Sequence, residues 1–308
     1  MRKRRKFYRG VVNHVYQRTI DGVQLFYTRE DCLVFFTMFS VCAKMADVQI
    51  QEMCLMHNHF HIVIRTETVQ ELSGFMDHFL SWFVHEYNTY VGRIGKLFKK
   101  NFGSAPKWDE KRLRSTIVYV GNNPVEKHFC ASAKDYRWNF LAYRNSSNPF
   151  SEKIHKSKLS YEMRRALKIV DSMVALNLPL KYALLDRLIQ KMSEGEIEQL
   201  TDYIVSSYSP IDYEALESNF KSYDNMIAAM ESTTGDDYDI KEPRDAFSLK
   251  SFYEMVTYVN QKLPRCKIRC VTVIPLDEKI ILYNELLSHT SATGQQICNF
   301  LHIKTSKV

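Results

Sequence analysis

The run Met56-His57-Asn58-His59-Phe60-His61-Ile62-Val63-Ile64 constrains the fold of this chain more than any other stretch. Its β-branched and aromatic residues favour an extended strand, and strand side chains alternate between faces with a period of two. His59 and His61 therefore share one face, and by the same alternation His57 falls beside them. Two neighbouring imidazoles can grip one metal ion. The same pattern also arises, and more often, from structural histidines on a half-buried strand.

The surrounding sequence supplies the elements around that strand. Val48 to Met56 and His59 to Thr66 are two β-rich runs about Asn58 and read as a strand pair. Residues 8–18 alternate as a strand, and Asp21-Gly22 follows as a turn signal. Thr28, with Asp31 three residues on, is close to a capping box and opens a helix to about Lys44. From Val69 to about Tyr90, Leu72, Phe75, Met76, Phe79, Leu80, Phe83, Val84 and Tyr87 recur at helical spacing. The order is strand, helix, strand, strand, helix. A third helix is predicted from Asp109-Glu110 through Leu113, Ile117, Val118 and Tyr119, with Pro124 stopping it.

Between the second and third helices, Gly92 to Phe102 mixes glycine, basic and aromatic residues. Lysine and arginine can meet phosphates and phenylalanine can stack on unpaired bases, so the stretch suits single-stranded nucleic acid; a plain surface hairpin fits it as well. Arg18, Lys96, Lys99 and Lys100 are the candidate phosphate contacts. Charge is uneven, with 22 Lys/Arg against 13 Asp/Glu in residues 1–150 and 20 against 22 in the rest. The first half is thus built for a polyanion, and the basic arm Arg2-Lys3-Arg4-Arg5-Lys6 either neutralises phosphates or is a solvated tail. No apolar run approaches the roughly 18–20 residues of a membrane span. The seven scattered cysteines suit a reducing compartment, and the expected location is cytoplasmic.

Beyond Pro149 the composition changes. Helical patterns run from Tyr161 to Leu178, Leu180 to Met192 and Glu194 to Ser206, and the acidic stretch around Thr233 to Asp239 reads as a linker. Glu278 to His289 and Thr293 to Leu301 resemble the first two helices of a helix-turn-helix, or form a plain helical hairpin. The chain thus divides into residues 1–150 and an all-α extension, 151–308, with a partial helix-turn-helix near 277–308.

One further constellation carries chemistry. In Tyr119-Val120-Gly121-Asn122-Asn123-Pro124, helical spacing puts Tyr119 and Asn123 on one face. Asn123 offers an amide oxygen, a hard ligand, and Tyr119 a phenol; a packed tyrosine and a helix-end asparagine would look the same.

With these residues in order, the sequence resembles the single-tyrosine HUH transposases, nearer the REP-associated tyrosine transposases than the short insertion-sequence enzymes. The resemblance rests on Met56 to His61, on Gly95-Lys96-Leu97-Phe98 with Lys100-Asn101-Phe102, on Tyr119 to Val125, and on Asp135-Tyr136-Arg137-Trp138. It implies an α+β fold, a ferredoxin-like antiparallel sheet with helices on one face, followed here by the helical extension. It implies that His59, His61 and Asn123 hold a divalent metal, Mg²⁺ or Mn²⁺, and that Tyr119 is the nucleophile. The implied activity is a metal-dependent single-stranded DNA nickase and strand transferase, forming a 5′-phosphotyrosine intermediate on hairpin-bearing or palindromic DNA. A domesticated hairpin-binding protein without cleavage is the alternative, and relatives act as monomers or homodimers. His57 stands where relatives carry proline, and Asn123 where many carry glutamine.

Overall fold

The computed structural model describes residues 8–99, 101–233, 247–263 and 268–307. The basic arm Arg2–Lys6, Lys100, Cys266 and the acidic stretch from Thr234 to Asp239 lie outside the described residues.

Strands β1 (Val12–Arg18), β2 (Gln49–Met56), β3 (His59–Arg65) and β4 (Gly103–Lys107) form an antiparallel sheet in the order β2-β3-β1-β4. Helix α1 (Arg29–Ala46) connects β1 to β2, and α2 (Val69–Val91) connects β3 to β4. This is the expected ferredoxin-like α+β arrangement. The sequence reading lacked β4, because Gly103-Ser104-Ala105-Pro106-Lys107 contains no β-branched residue. Its place at the sheet edge is what tolerates Pro106.

Alternation sorts the sheet into two faces. Val15, Phe60, Ile62 and Ile64 turn inward to α1 and α2 and form the main core with Phe35, Phe39, Phe79 and Phe83. Phe35 is its hub, with ring centroids 5.0 Å from Phe60 and 4.9 Å from both Phe79 and Phe83. In β2 a bulge at Gln51 resets the alternation: Ile50 pairs with Ile64, but Glu52 pairs with Val63. Ile50, Met53 and Leu55 consequently all join the inner core, and Cys54 and Met56 face outward with Val12, Val63, Tyr119 and Val120.

Helix α3 (Glu110–Glu126) starts where its cap predicts, with the Asp109 carboxylate accepting the Arg112 N–H at 2.8 Å. It does not stop at Pro124, which lies inside its last turn. A proline there forfeits only its own N–H bond, and the chain closes behind it through Lys127 N–H to the Asn123 carbonyl (3.2 Å) and Phe129 N–H to the Pro124 carbonyl (2.8 Å). While α1 and α2 lie together on one face, α3 is laid over the other.

The extension packs onto this frame. Helices α4 (Tyr161–Ala175), α5 (Tyr182–Ile189) and α6 (Glu194–Tyr208) place Met163, Val170, Leu185 and Ile204 in the main core. Helices α7 (Tyr213–Ser218) and α8 (Tyr223–Ser232) bring Leu216, Met226 and Met230 against Ile117 and Val118 of α3. Helices α9 (Leu249–Lys262), α10 (Leu276–His289) and α11 (Gly294–Leu301) build a second core with Tyr27. The residues after α11 form a 3-10 turn, Thr305–Lys307, where a helix-turn-helix would start its recognition helix. Ile297, Phe300 and Leu301 of α11 are buried, and Gln24 N–H donates to the Asn299 carbonyl at 2.9 Å.

Asp31, fully buried in the first turn of α1, ties these parts together. It accepts the N–H groups of Tyr27 (2.8 Å) and Thr28 (2.9 Å) and the Tyr182 hydroxyl of α5 (3.0 Å), and it pairs with Arg269 at 3.3 Å. Among the described residues no helix is long and apolar enough to cross a membrane. Because Phe35 fills the centre of the aromatic cluster, Phe35→Ala should destabilise the protein by ~3–5 kcal/mol, the usual cost of an unfilled buried phenylalanine. Urea denaturation followed by circular dichroism checks this.

Candidate metal and phosphoryl-transfer site

The outer sheet face brings the predicted residues together through strand register. His61 stands opposite Tyr16 of β1 on one side and Cys54 of β2 on the other, and His59 stands opposite Arg18 and Met56. The rings of His59 and His61 are 5.1 Å apart and nearly perpendicular.

Each histidine has its Nδ1 held. His59 Nδ1 lies 2.7 Å from Asn58 Oδ1, and Asn58 Nδ2 in turn donates to the Gly22 carbonyl at 2.8 Å, which fixes the way the amide faces. An amide oxygen only accepts, so the His59 proton sits on Nδ1 and Nε2 carries the ring's lone pair. His61 Nδ1 lies 2.9 Å from His14 Nε2, and the two rings stack at 5.1 Å. Such Nδ1 partners orient metal-binding imidazoles and raise their basicity. His14 has no ligand-like spacing in the sequence, and only the pairing of β1 with β3 brings it beside His61.

His57 does not join the pair. It occupies the two-residue turn between β2 and β3, where strand alternation does not apply, and its ring stacks at 4.0 Å on Phe247. That contact lines a cavity of about 410 Å³ with Phe129, Tyr136, Phe252 and Tyr253.

Helix α3 lays the face bearing Tyr119 over the histidines. The Tyr119 ring is 5.6 Å from His61 and 6.0 Å from His14, edge-on to both, and only 3% exposed. Asn123, one turn further, is buried, and its Oδ1 has no hydrogen-bond partner among the described residues. A buried carbonyl oxygen left in that state is costly unless something else coordinates it. Among the described residues no group of three His, Cys, Asp or Glu side chains is placed to hold a metal. Two imidazole nitrogens with an amide oxygen are donors whose chemistry suits a six-coordinate divalent cation.

The candidate basic residues gather at the end of β1. Residues 97–99 run beside the end of β1, with Lys99 N–H donating to the Arg18 carbonyl at 3.1 Å and Gln17 Nε2 to the Lys99 carbonyl at 2.7 Å. Lys99 is thereby set next to Arg18. Arg93 holds the preceding turn through the carbonyls of Gly95 (3.1 Å) and Lys96 (2.8 Å), with the Lys96 and Lys99 side chains exposed. Lys100 lies outside the described residues.

Sequence reasoning also missed Glu52. The bulge turns it to the outer face, where it is buried beneath α3 and neither carboxylate oxygen has a hydrogen-bond partner among the described residues. Burial pushes its pKa well above the usual carboxylate range. Gly121 lets it and α8 approach: a Cβ there would sit 2.4 Å from Met230 Cε and 3.3 Å from Glu52 Oε1. Next to it Asn122 Nδ2 donates to the Met230 carbonyl at 2.7 Å.

Residues 11–123 match the family model described as "Transposase IS200 like". No curated protein matches the chain. A solved structure described as "Structure of the REP associates tyrosine transposase bound to a REP hairpin" aligns at 13% identity and a TM-score of 0.41, covering 52% of this chain and 95% of that one.

A carboxyl whose folded pKa is raised favours the folded state below the unfolded pKa, and that contribution is lost as pH climbs toward the folded value. Glu52→Gln should therefore gain stability over the wild type as pH rises above about 4.3, at a slope approaching ~1.4 kcal/mol per unit. Paired urea titrations across that range measure the difference; a constant offset would mean that Glu52 is ionised in place.

Proposed function

We propose, from the match of residues 11–123 to the IS200-like transposase family model, that this chain nicks and rejoins single-stranded DNA bearing a hairpin. The observation that carries the reading is the placement of the histidine pair. Strand register sets the rings of His59 and His61 5.1 Å apart on one sheet face, and Tyr119 overlies that face 5.6 Å from His61.

In this reading His59, His61 and the Asn123 carbonyl hold a divalent cation, Mg²⁺ or Mn²⁺. When bound, the ion supplies Lewis-acid polarisation of the scissile phosphate and offsets charge developing on its oxygens. Arg18, Lys96 and Lys99 hold the flanking phosphates. A tyrosine phenol has a pKa of about 10 and is mostly protonated at neutral pH, so its proton must leave as the oxygen attacks. The Tyr119 Oη–phosphorus bond forms, the bond from phosphorus to the 3′ oxygen breaks, and that oxygen takes up a proton as a free 3′-OH. The 5′-phosphotyrosine conserves the phosphodiester, so a 3′-OH can reverse the step without ATP.

The burial of Tyr119 favours a second reading, hairpin binding without cleavage. Incubation of a stem-loop oligonucleotide with the full chain and Mg²⁺ or Mn²⁺, followed by denaturing gel electrophoresis, separates the two. Cleavage predicts a covalent protein–DNA adduct that Tyr119→Phe abolishes and that His59→Ala or His61→Ala lowers at least ~100-fold, in keeping with removal of a metal ligand or nucleophile. Binding with no adduct in either metal supports the second reading. An unchanged adduct yield in Tyr119→Phe removes Tyr119 from the mechanism.

A further inference from the structure

Every other residue of β1 up to Gln17 is buried, yet Tyr16 in its middle is 45% exposed. It belongs to the outer face, between His14 and Arg18 in the alternation, and its ring lies 6.4 Å from His61 and 5.6 Å from His14. The ring is held flat from behind. Across the β1–β4 pair Tyr16 stands opposite Gly103, and a Cβ on that residue would meet the ring's Cζ at 2.1 Å, Cε1 at 2.3 Å and Cε2 at 2.5 Å. Any other residue at 103 would push the ring away from the strand.

We propose that Tyr16 is the stacking platform for the unpaired base that adjoins the phosphate engaged at His59 and His61. This rests on the reading of the outer face as a single-stranded DNA site and names the part of the substrate that Tyr16 takes. A base needs a rigid, partly exposed π-face, and the glycine-backed ring provides one with little conformational freedom left to lose. Arg18 lies two residues further along the same face, roughly 6.6 Å at the strand rise, within reach of the next phosphate. Stacking accepts any of the four bases, so Tyr16 contributes affinity and register rather than sequence choice.

A tyrosine covering an edge-strand glycine also protects the sheet, and a purely structural role has to be told apart from this one. The variants Tyr16→Phe, Tyr16→Trp and Tyr16→Leu are prepared in the full chain. Leucine still covers Gly103 but has no π-face. Anisotropy of a fluorescein-labelled stem-loop with oligothymidylate arms, measured in chelator, reads binding without cleavage, and a melting curve accompanies each variant. The Phe and Trp variants should bind within about threefold of wild type and the Leu variant about 10- to 100-fold more weakly, matching the worth of one base–aromatic stack. The loss should vanish on the same probe with abasic arms, and photocrosslinking of bromodeoxyuridine arms should mark Tyr16.

Equal binding by the Leu variant, or a loss that persists on abasic arms, overturns the proposal while leaving the nicking reading intact. A covalent adduct mapped to Tyr16 instead of Tyr119 overturns both the stacking role and the nucleophile assignment. Failure of the wild type to bind the probe overturns the single-stranded DNA reading and the proposal with it.

Discussion

A single buried carboxylate, Asp31, holds the largest share of this architecture together. Its oxygens cap the first turn of α1, take the Tyr182 hydroxyl from α5 and pair with Arg269 from the segment before α10. Burial pushes the pKa of Asp31 up, and Arg269, the two backbone N–H groups and Tyr182 oppose that push. The guanidinium of Arg269 also lies over the rings of Tyr182 (4.7 Å) and Tyr90 (5.2 Å) and reaches Glu30 at 3.5 Å. Removing either partner would strand a charge in a medium of low polarisability, typically ~3–5 kcal/mol. The extension is thereby bound to the helix that supports the sheet.

That support matters because the sheet serves two masters. Its inner face is a dry aromatic core around Phe35, and its outer face carries His14, Tyr16, His59 and His61. A rigid inner layer fixes the strands, and the strands fix the spacing of the imidazoles. Helix α3 completes the outer face from above, and its own position depends on the extension. Met230 of α8 fits against Gly121, two residues from Tyr119 and from Asn123, and accepts the Asn122 amide. The helical extension is thus mechanically continuous with the site through α3, and the residues just before α9 meet the β2–β3 turn in the Phe247–His57 stack.

The sequence exposed some of this plainly and concealed the rest for identifiable reasons. Helices α1 and α2 and strands β2 and β3 were legible because their apolar periodicity is strong and locally capped. Strand β4 was not, since Gly-Ser-Ala-Pro-Lys has no strand signature and is recruited by pairing with β1. The end of α3 was misjudged because proline is forbidden only where its missing N–H is needed. At the site, His59, His61, Tyr119 and Asn123 were named by spacing and by resemblance. Glu52 and Tyr16 were not: a bulge turned the first toward α3, and a cross-strand glycine propped up the second.

By itself, then, the sequence determined the order of β1 to β3 and α1 to α3, the pairing of two histidines on one face, and the helical juxtaposition of Tyr119 with Asn123. These follow from periods of 2 and 3.6 residues, which act within a few residues of chain. Only the tertiary structure decided which ring nitrogens are engaged, that His57 leaves the pair for Phe247, that Tyr119 is covered, and that Tyr16 is displayed. Each of those depends on a partner tens to hundreds of residues away or on a turn whose backbone breaks the local period. Local periodicity carries no record of such contacts, because they are selected by packing and hydrogen-bond satisfaction after the elements have formed.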